Sequence, residues 1–173
     1  AVDIKYLNQS ELSFQQRKTK DFLYYPFDPT RTENSTPLPA NKYYDYTQYV
    51  ISYRSPSRNL FNTRSNISYG SFYNGTKFSI QNNLSFRKQP IFNVSLRLNY
   101  DSIKLPDPYP SRDIWLITPK FEFTFTKKTF WTTYIQFSSQ SENLGINSRL
   151  QWRFAPLSDL YLVYNDNYFT KNS

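Results

Sequence analysis

Phe92-Asn93-Val94-Ser95-Leu96-Arg97-Leu98-Asn99-Tyr100 alternates apolar and polar residues without a break. In a strand, successive side chains point to opposite faces. This segment therefore puts Phe92, Val94, Leu96, Leu98 and Tyr100 on one surface and Asn93, Ser95, Arg97 and Asn99 on the other. Wound as a helix, the same apolar residues would scatter around the cylinder. The pattern continues on both sides. Upstream, Phe78, Ile80, Leu84 and Phe86 oppose Lys77, Ser79, Gln81, Asn83, Ser85 and Arg87. Downstream, Trp115, Ile117, Phe121, Phe123 and Phe125 oppose Thr118, Lys120, Glu122, Thr124 and Thr126. Trp131, Ile135 and Phe137 then oppose Thr132, Tyr134 and Gln136, and Leu144, Ile146, Leu150, Trp152 and Phe154 oppose Asn143, Asn147, Arg149, Gln151 and Arg153. A last run sets Leu160, Leu162 and Tyr164 against Asp159, Tyr161 and Asn165. Weaker alternation over 2–14, 43–54 and 60–73 brings the expectation to about nine strands and no helix.

Composition narrows the chemistry. The chain of 173 residues has no Cys, Met or His, which removes disulfides, thiolate nucleophiles, the usual zinc and haem ligands and a histidine base. Aromatic residues make up 20% of it, more than a sandwich core of this size needs. Lys and Arg outnumber Asp and Glu by 21 to 13, giving a net charge of +8 and a pI near 9.5. A mean hydropathy of −0.71 and the lack of a long apolar run speak against a membrane helix but not against a membrane β-barrel, whose strands average to a hydrophilic score. Basic and aromatic residues fall on opposite strand faces, whereas a nucleic-acid stacking platform needs both on one surface; no nucleic-acid partner is expected.

The connections have their own regularity. Ser55-Pro56-Ser57, Lys88-Gln89-Pro90, Lys127-Lys128 and Ala155-Pro156-Leu157-Ser158 are tight, while 17–41 and 101–113 read as long, Pro-containing, extracellular loops. Asn74-Gly75 is a short hairpin signal. Strands of about ten residues, short turns on one rim and longer loops on the other define the expected class: an all-β, antiparallel transmembrane β-barrel of the outer-membrane type, with 1–173 as a single segment. Single-chain bacterial barrels have even strand numbers, so nine strands imply at least one more. The expectation is an incomplete portion of a larger barrel, its edges paired with remaining strands of the same protein or with partner subunits.

Three stretches carry a family resemblance: Tyr69-Gly70-Ser71-Phe72-Tyr73-Asn74-Gly75-Thr76, Trp115-Leu116-Ile117 followed by Phe130-Trp131-Thr132-Thr133-Tyr134-Ile135-Gln136, and above all Asn147-Ser148-Arg149-Leu150-Gln151-Trp152-Arg153-Phe154-Ala155-Pro156-Leu157-Ser158-Asp159-Leu160-Tyr161-Leu162-Val163-Tyr164. They resemble the C-terminal outer-membrane β-barrel of Bacteroidota proteins that carry a family-9 carbohydrate-binding-like domain ahead of the barrel. The resemblance covers about residues 43–170. It implies localisation in the bacterial outer membrane, a barrel that continues into a further apolar strand, and no catalytic residues or cofactors. It also implies a role as membrane anchor, pore or transport and secretion component linked to surface glycan handling.

Site expectations follow from the phases. Arg64, Lys77, Arg97, Lys120 and Arg149 lie on the polar side and form a basic lumen lining that would attract an anionic solute or glycan, unless a plug or acids on other strands neutralise them. Arg87 and Arg153 sit at strand ends. Tyr73, Trp115, Trp131, Trp152 and Phe154 are expected in aromatic girdles at the interfaces with outer-membrane lipid. Asp101-Ser102-Ile103 is a three-residue O-glycosylation signal of the Bacteroidota type, with Ser102 as acceptor. Asp107 and Asp113 are an unconstrained carboxylate pair in a loop, so no enzyme activity and no metal site are expected. The competing class is a soluble β-rich carbohydrate-binding module.

Overall fold

The computed structural model of the chain describes residues 1–170. It contains ten antiparallel strands: β1 (Val2–Lys5), β2 (Glu11–Leu23), β3 (Lys42–Arg54), β4 (Phe61–Phe72), β5 (Gly75–Lys88), β6 (Phe92–Lys104), β7 (Arg112–Thr126), β8 (Thr129–Ser138), β9 (Asn143–Ala155) and β10 (Ser158–Phe169). Each pairs with its sequence neighbour, in the order β1 to β10, and no helix is present among the described residues. The first and last strands do not pair with each other, so the sheet is open rather than closed into a barrel. Two compact units divide the described residues, one formed by 1–55, 65–81 and 99–114, the other by 56–64, 82–98 and 115–170.

Three sequence expectations need correction. The count is ten strands, not nine, because 2–14 is a hairpin and not one strand. Gln9 takes a left-handed conformation (φ 71°), Tyr6 N–H donates to the Ser10 carbonyl (2.9 Å), and the Asn8 carboxamide oxygen accepts from both Ser10 N–H and Oγ (2.9 and 2.7 Å). The odd-number argument for a missing strand falls with that count. The loop expected at 17–41 spans only 24–41, since β2 runs on to Leu23 with both of its faces polar through Arg17-Lys18-Thr19-Lys20-Asp21. The loop expected at 101–113 shrinks to 105–111.

Register confirms the two-faced strands. Directly opposite residues of an antiparallel pair share a face. Phe123, Trp131, Leu150 and Leu162 thus form one apolar row across β7–β10, and Ile135 with Ile146 and Phe137 with Leu144 form others. On the reverse face run Lys120, Tyr134, Asn147 and Asn165, and beside them Glu122, Thr132 and Arg149. In the first unit, Arg17–Gln48, Thr19–Tyr46 and Asp21–Tyr44 share the polar face, and Leu12–Tyr53 and Phe14–Ile51 the apolar one.

The buried core lies on the polar face, under a loop. Leu23, Leu38 and Tyr44 are buried together, with Tyr46, Tyr73 and Tyr109 packed around them. Leu38 comes from the β2–β3 loop and is tied to Phe27 by two backbone hydrogen bonds (3.1 and 2.8 Å). That loop has an internal organiser. Asp28 accepts from Thr30 N–H and Oγ1 through one oxygen, and from Thr32 N–H and Ser35 Oγ through the other, at 2.7–2.8 Å. Burial alone would raise the Asp28 carboxyl, but the bonds from Ser35, Thr30 and Thr32 hold it below the ordinary carboxylate range. The Arg112 guanidinium at the start of β7 caps the carbonyls of Thr30 and Arg31 (3.4 and 3.1 Å), pinning the loop.

Candidate functional site

Some of the basic residues of the polar face are neutralised within the chain, and others meet only neutral partners. Lys77 on β5 pairs with Asp101 on β6 at 3.1 Å, and Asp101 also accepts from Ser79. Lys120 pairs with Glu122 at 2.7 Å along β7, and Glu122 also accepts from Asn93 of β6 (2.7 Å). Arg97 donates to Asn83 (3.1 Å), and Arg149 stacks over the Tyr161 ring, 5.7 Å from its centroid. At the tight-turn rim Arg87 donates to the Ser57 carbonyl (2.9 Å) and Arg153 pairs with Asp159 (3.1 Å). Arg64 is exposed on β4 and has no acidic partner among the described residues. The lining is therefore not uniformly positive: Asp101 and Asp159 offset Lys77 and Arg153 from the adjacent strand, and Glu122 offsets Lys120 from the same one.

The first unit holds a cavity of about 370 Å³ on this polar face. Arg17 and Gln15 of β2, Gln48 of β3, Asn66 and Phe72 of β4 and Gln81 of β5 line it. Two of its lining residues are aromatic: Tyr46 meets Phe72 edge-on at 5.6 Å, and Tyr73 packs on both. Lys77 lies over the Phe72 ring, 5.2 Å from its centroid. Arg17 and Gln48 face each other across β2 and β3. The second unit has a cleft of about 430 Å³ without cations, walled by Tyr134, Gln136 and the carboxamides of Asn143, Asn147, Asn165 and Asn167.

Aromatic residues fall at two levels of the apolar face in the second unit. Near the tight turns, Phe86, Phe92, Phe123 and Trp131 follow one another at centroid distances of 5.4, 6.2 and 5.5 Å, and Trp152 and Phe154 lie alongside each other at 5.9 Å. Near the opposite ends of the strands stand Trp115, whose N–H and C=O bond to Ser139, and Phe137 and Tyr168, both opposite Leu144.

Tyr73 sits elsewhere. It occupies the β4–β5 turn in a left-handed conformation (φ 51°), and its phenol donates to Asp21 (3.2 Å). A bulky residue there is strained unless its surroundings over-determine it. The contacts with Phe27, Tyr44 and Tyr46 do so, and burial, reinforced by the Asp21 charge, keeps the phenol protonated far above its usual range. Gly75 follows because a Cβ there would strike the Lys104 carbonyl oxygen. Ser102 lies inside β6, two residues before its end, half-buried. Asp107 belongs to the β6–β7 loop and Asp113 to β7, and no cluster of metal-ligating side chains occurs among the described residues.

Arg17, Gln48, Phe72 and Asp101 were not singled out from sequence. Arg17 and Asp101 fall in stretches that read as loop, and the cavity they serve exists only once β2 to β6 are paired. No protein-family model, curated protein or solved structure matches the chain significantly.

Proposed function

We propose that the chain is part of an outer-membrane β-barrel, its apolar face toward lipid and its polar face toward an aqueous interior, serving as anchor, pore or transport component. The spacing of the two aromatic levels carries the reading. Trp152 lies opposite Thr129 and Trp115 bonds to Ser139, so ten residues separate the levels along β8. At ~3.3 Å per residue that is about 33 Å of strand. With the ~40° tilt of outer-membrane strands it becomes a height of about 25 Å, the apolar band of such barrels.

Two further observations support it. Large apolar side chains on this face stand open, including Leu162 at 70% exposure and Phe125 at 60%, and Leu150, Trp152, Leu160 and Leu162 line an apolar groove of about 440 Å³. A monomeric soluble protein rarely leaves such a contiguous surface uncovered. Polar side chains within the band satisfy one another, as hydrocarbon demands. Trp131 Nε1 donates to Ser148 Oγ (2.9 Å), Ser148 bonds to Thr133 (2.7 Å), and Thr63 donates to Asn82 (3.1 Å). In lipid the open edges of β1 and β10 would leave rows of unmet backbone groups, so both are taken to pair with further polypeptide, from the same protein or from partner subunits. The sequence resemblance to Bacteroidota barrels points the same way.

Fractionation of the native host tests the reading. The protein should stay with membranes through alkaline carbonate extraction and dissolve only in detergent. Recovery as a detergent-free soluble monomer would instead favour a soluble β-rich module.

A further inference from the structure

The first-unit cavity combines a guanidinium, several carboxamides and aromatic rings. The charges decide its character. Lys77 and Asp101 cancel at 3.1 Å, and Asp101 is held further by Ser79, so neither is available to a ligand without breaking that pair. Asp21 is occupied by the Tyr73 phenol. Arg17 has no acidic partner among the described residues, which leaves the cavity one free guanidinium. Around it stand the carboxamides of Gln15, Gln48, Asn66 and Gln81, each offering donors and an acceptor in one plane. Phe72 and Tyr46 supply ring surface, Arg17 and Gln15 stand open to solvent, and the volume of about 370 Å³ is that of a small-molecule site.

We infer that this cavity binds a saccharide unit bearing a single carboxylate, a hexuronic acid within a glycan. The guanidinium takes the carboxylate in a bidentate pair. The carboxamides take ring hydroxyls, which both donate and accept, and the aromatic wall takes the C–H face of the sugar ring. A neutral sugar would leave Arg17 unpaired, and a small inorganic anion would leave the carboxamides and rings unused. The inference rests on the outer-membrane reading only for the route by which the ligand arrives; binding itself depends on the folded unit.

The test uses the full chain folded in detergent micelles, with trigalacturonate, cellotriose and sodium phosphate as probes in isothermal titration calorimetry. Trigalacturonate should bind at least about tenfold more tightly than either of the others, the scale of one charge-assisted contact. Arg17→Gln should remove that preference, Arg17→Lys should restore part of it, and Phe72→Leu should weaken both sugars together. Arg149→Gln, in the other unit, should change nothing. Equal affinity for the acidic and the neutral trisaccharide would overturn the inference, as would phosphate binding as tightly as trigalacturonate, or an Arg17→Gln protein that keeps the wild-type preference. Circular dichroism on each variant confirms that the sheet is intact. A failure to bind leaves the membrane-extraction result untouched, so the two readings fail separately.

Discussion

Placing an arginine at successive depths along β8 separates a lipid-facing wall from a sheet in water. The levels at Thr129 and Ser139 have their midpoint at residue 134, so Ile135, opposite Ile146, is within one residue of mid-band on the apolar face. Thr129 lies on the same face at the rim, and Gln136 on the polar face. In a bilayer, Ile135→Arg should cost about 2–4 kcal/mol, Thr129→Arg about 0–1, and Gln136→Arg little, since it faces the interior. The first figure corresponds to a roughly 30- to 800-fold loss in the folding equilibrium. In water the order collapses: Ile135 is only half-buried, an arginine stem covers part of the same apolar surface, and all three changes should fall within about 1 kcal/mol of one another. Reversible urea unfolding from phospholipid vesicles, followed by tryptophan fluorescence, gives the three values directly. A gap of less than 1 kcal/mol between Ile135→Arg and Thr129→Arg would refute the depth argument.

Other outcomes follow from the first unit. Asp28 has a folded pKa below its ordinary 3.8, so the stability it lends the β2–β3 loop is complete above that value and fades as pH falls through the folded pKa. Exchange protection factors at Thr30 and Thr32, whose N–H groups both donate to Asp28, should fall there, and Asp28→Asn should lower them already at neutral pH. Gly70→Ala should destabilise by about 1–3 kcal/mol in a denaturant titration, because the new Cβ would strike the Thr47 carbonyl oxygen and lie 2.7 Å from Gln48 Cα; an unchanged midpoint would mean β3 and β4 are not that close. A double-mutant cycle on Lys77→Gln and Asp101→Asn should return a coupling of only about 1 kcal/mol, since both side chains keep contact with water, at 22% and 32% exposure.

The six strands from β5 to β10 are legible because most of the alternate residues are apolar and four of the five connections between them are short. The N-terminal hairpin is not, for a specific reason. Val2 pairs with Phe14 and Ile4 with Leu12, so the turn between them leaves the even parity of apolar residues unbroken. Alternation alone runs straight through it; only Asn8-Gln9-Ser10 marks the reversal. The upper part of β2 is hidden by another effect, since Lys18 and Lys20 on one face and Arg17 and Asp21 on the other erase the contrast that alternation depends on. The polar face is legible as a set of residues but not as an electrostatic surface. Lys77 is visibly on it, whereas its neutralisation by Asp101 depends on cross-strand pairing, and Asp101 reads as loop. Tyr73 looks like a rim aromatic because it ends a strand, and the loop that packs on its ring through Phe27 and Leu38 comes from about 35 to 46 residues upstream.

The central claim, that the apolar face meets hydrocarbon, is tested most directly by fluorescence quenching with lipids brominated at defined depths. Single-tryptophan proteins retaining Trp131, Trp152 or Trp115, and an Ile135→Trp variant lacking all three, would be folded into vesicles. Trp131, Trp152 and Trp115 should be quenched most by bromines near the headgroups, and the tryptophan at position 135 most by bromines near the chain ends. Absence of quenching by bromolipid at any depth, or one identical profile at all four positions, would contradict the account.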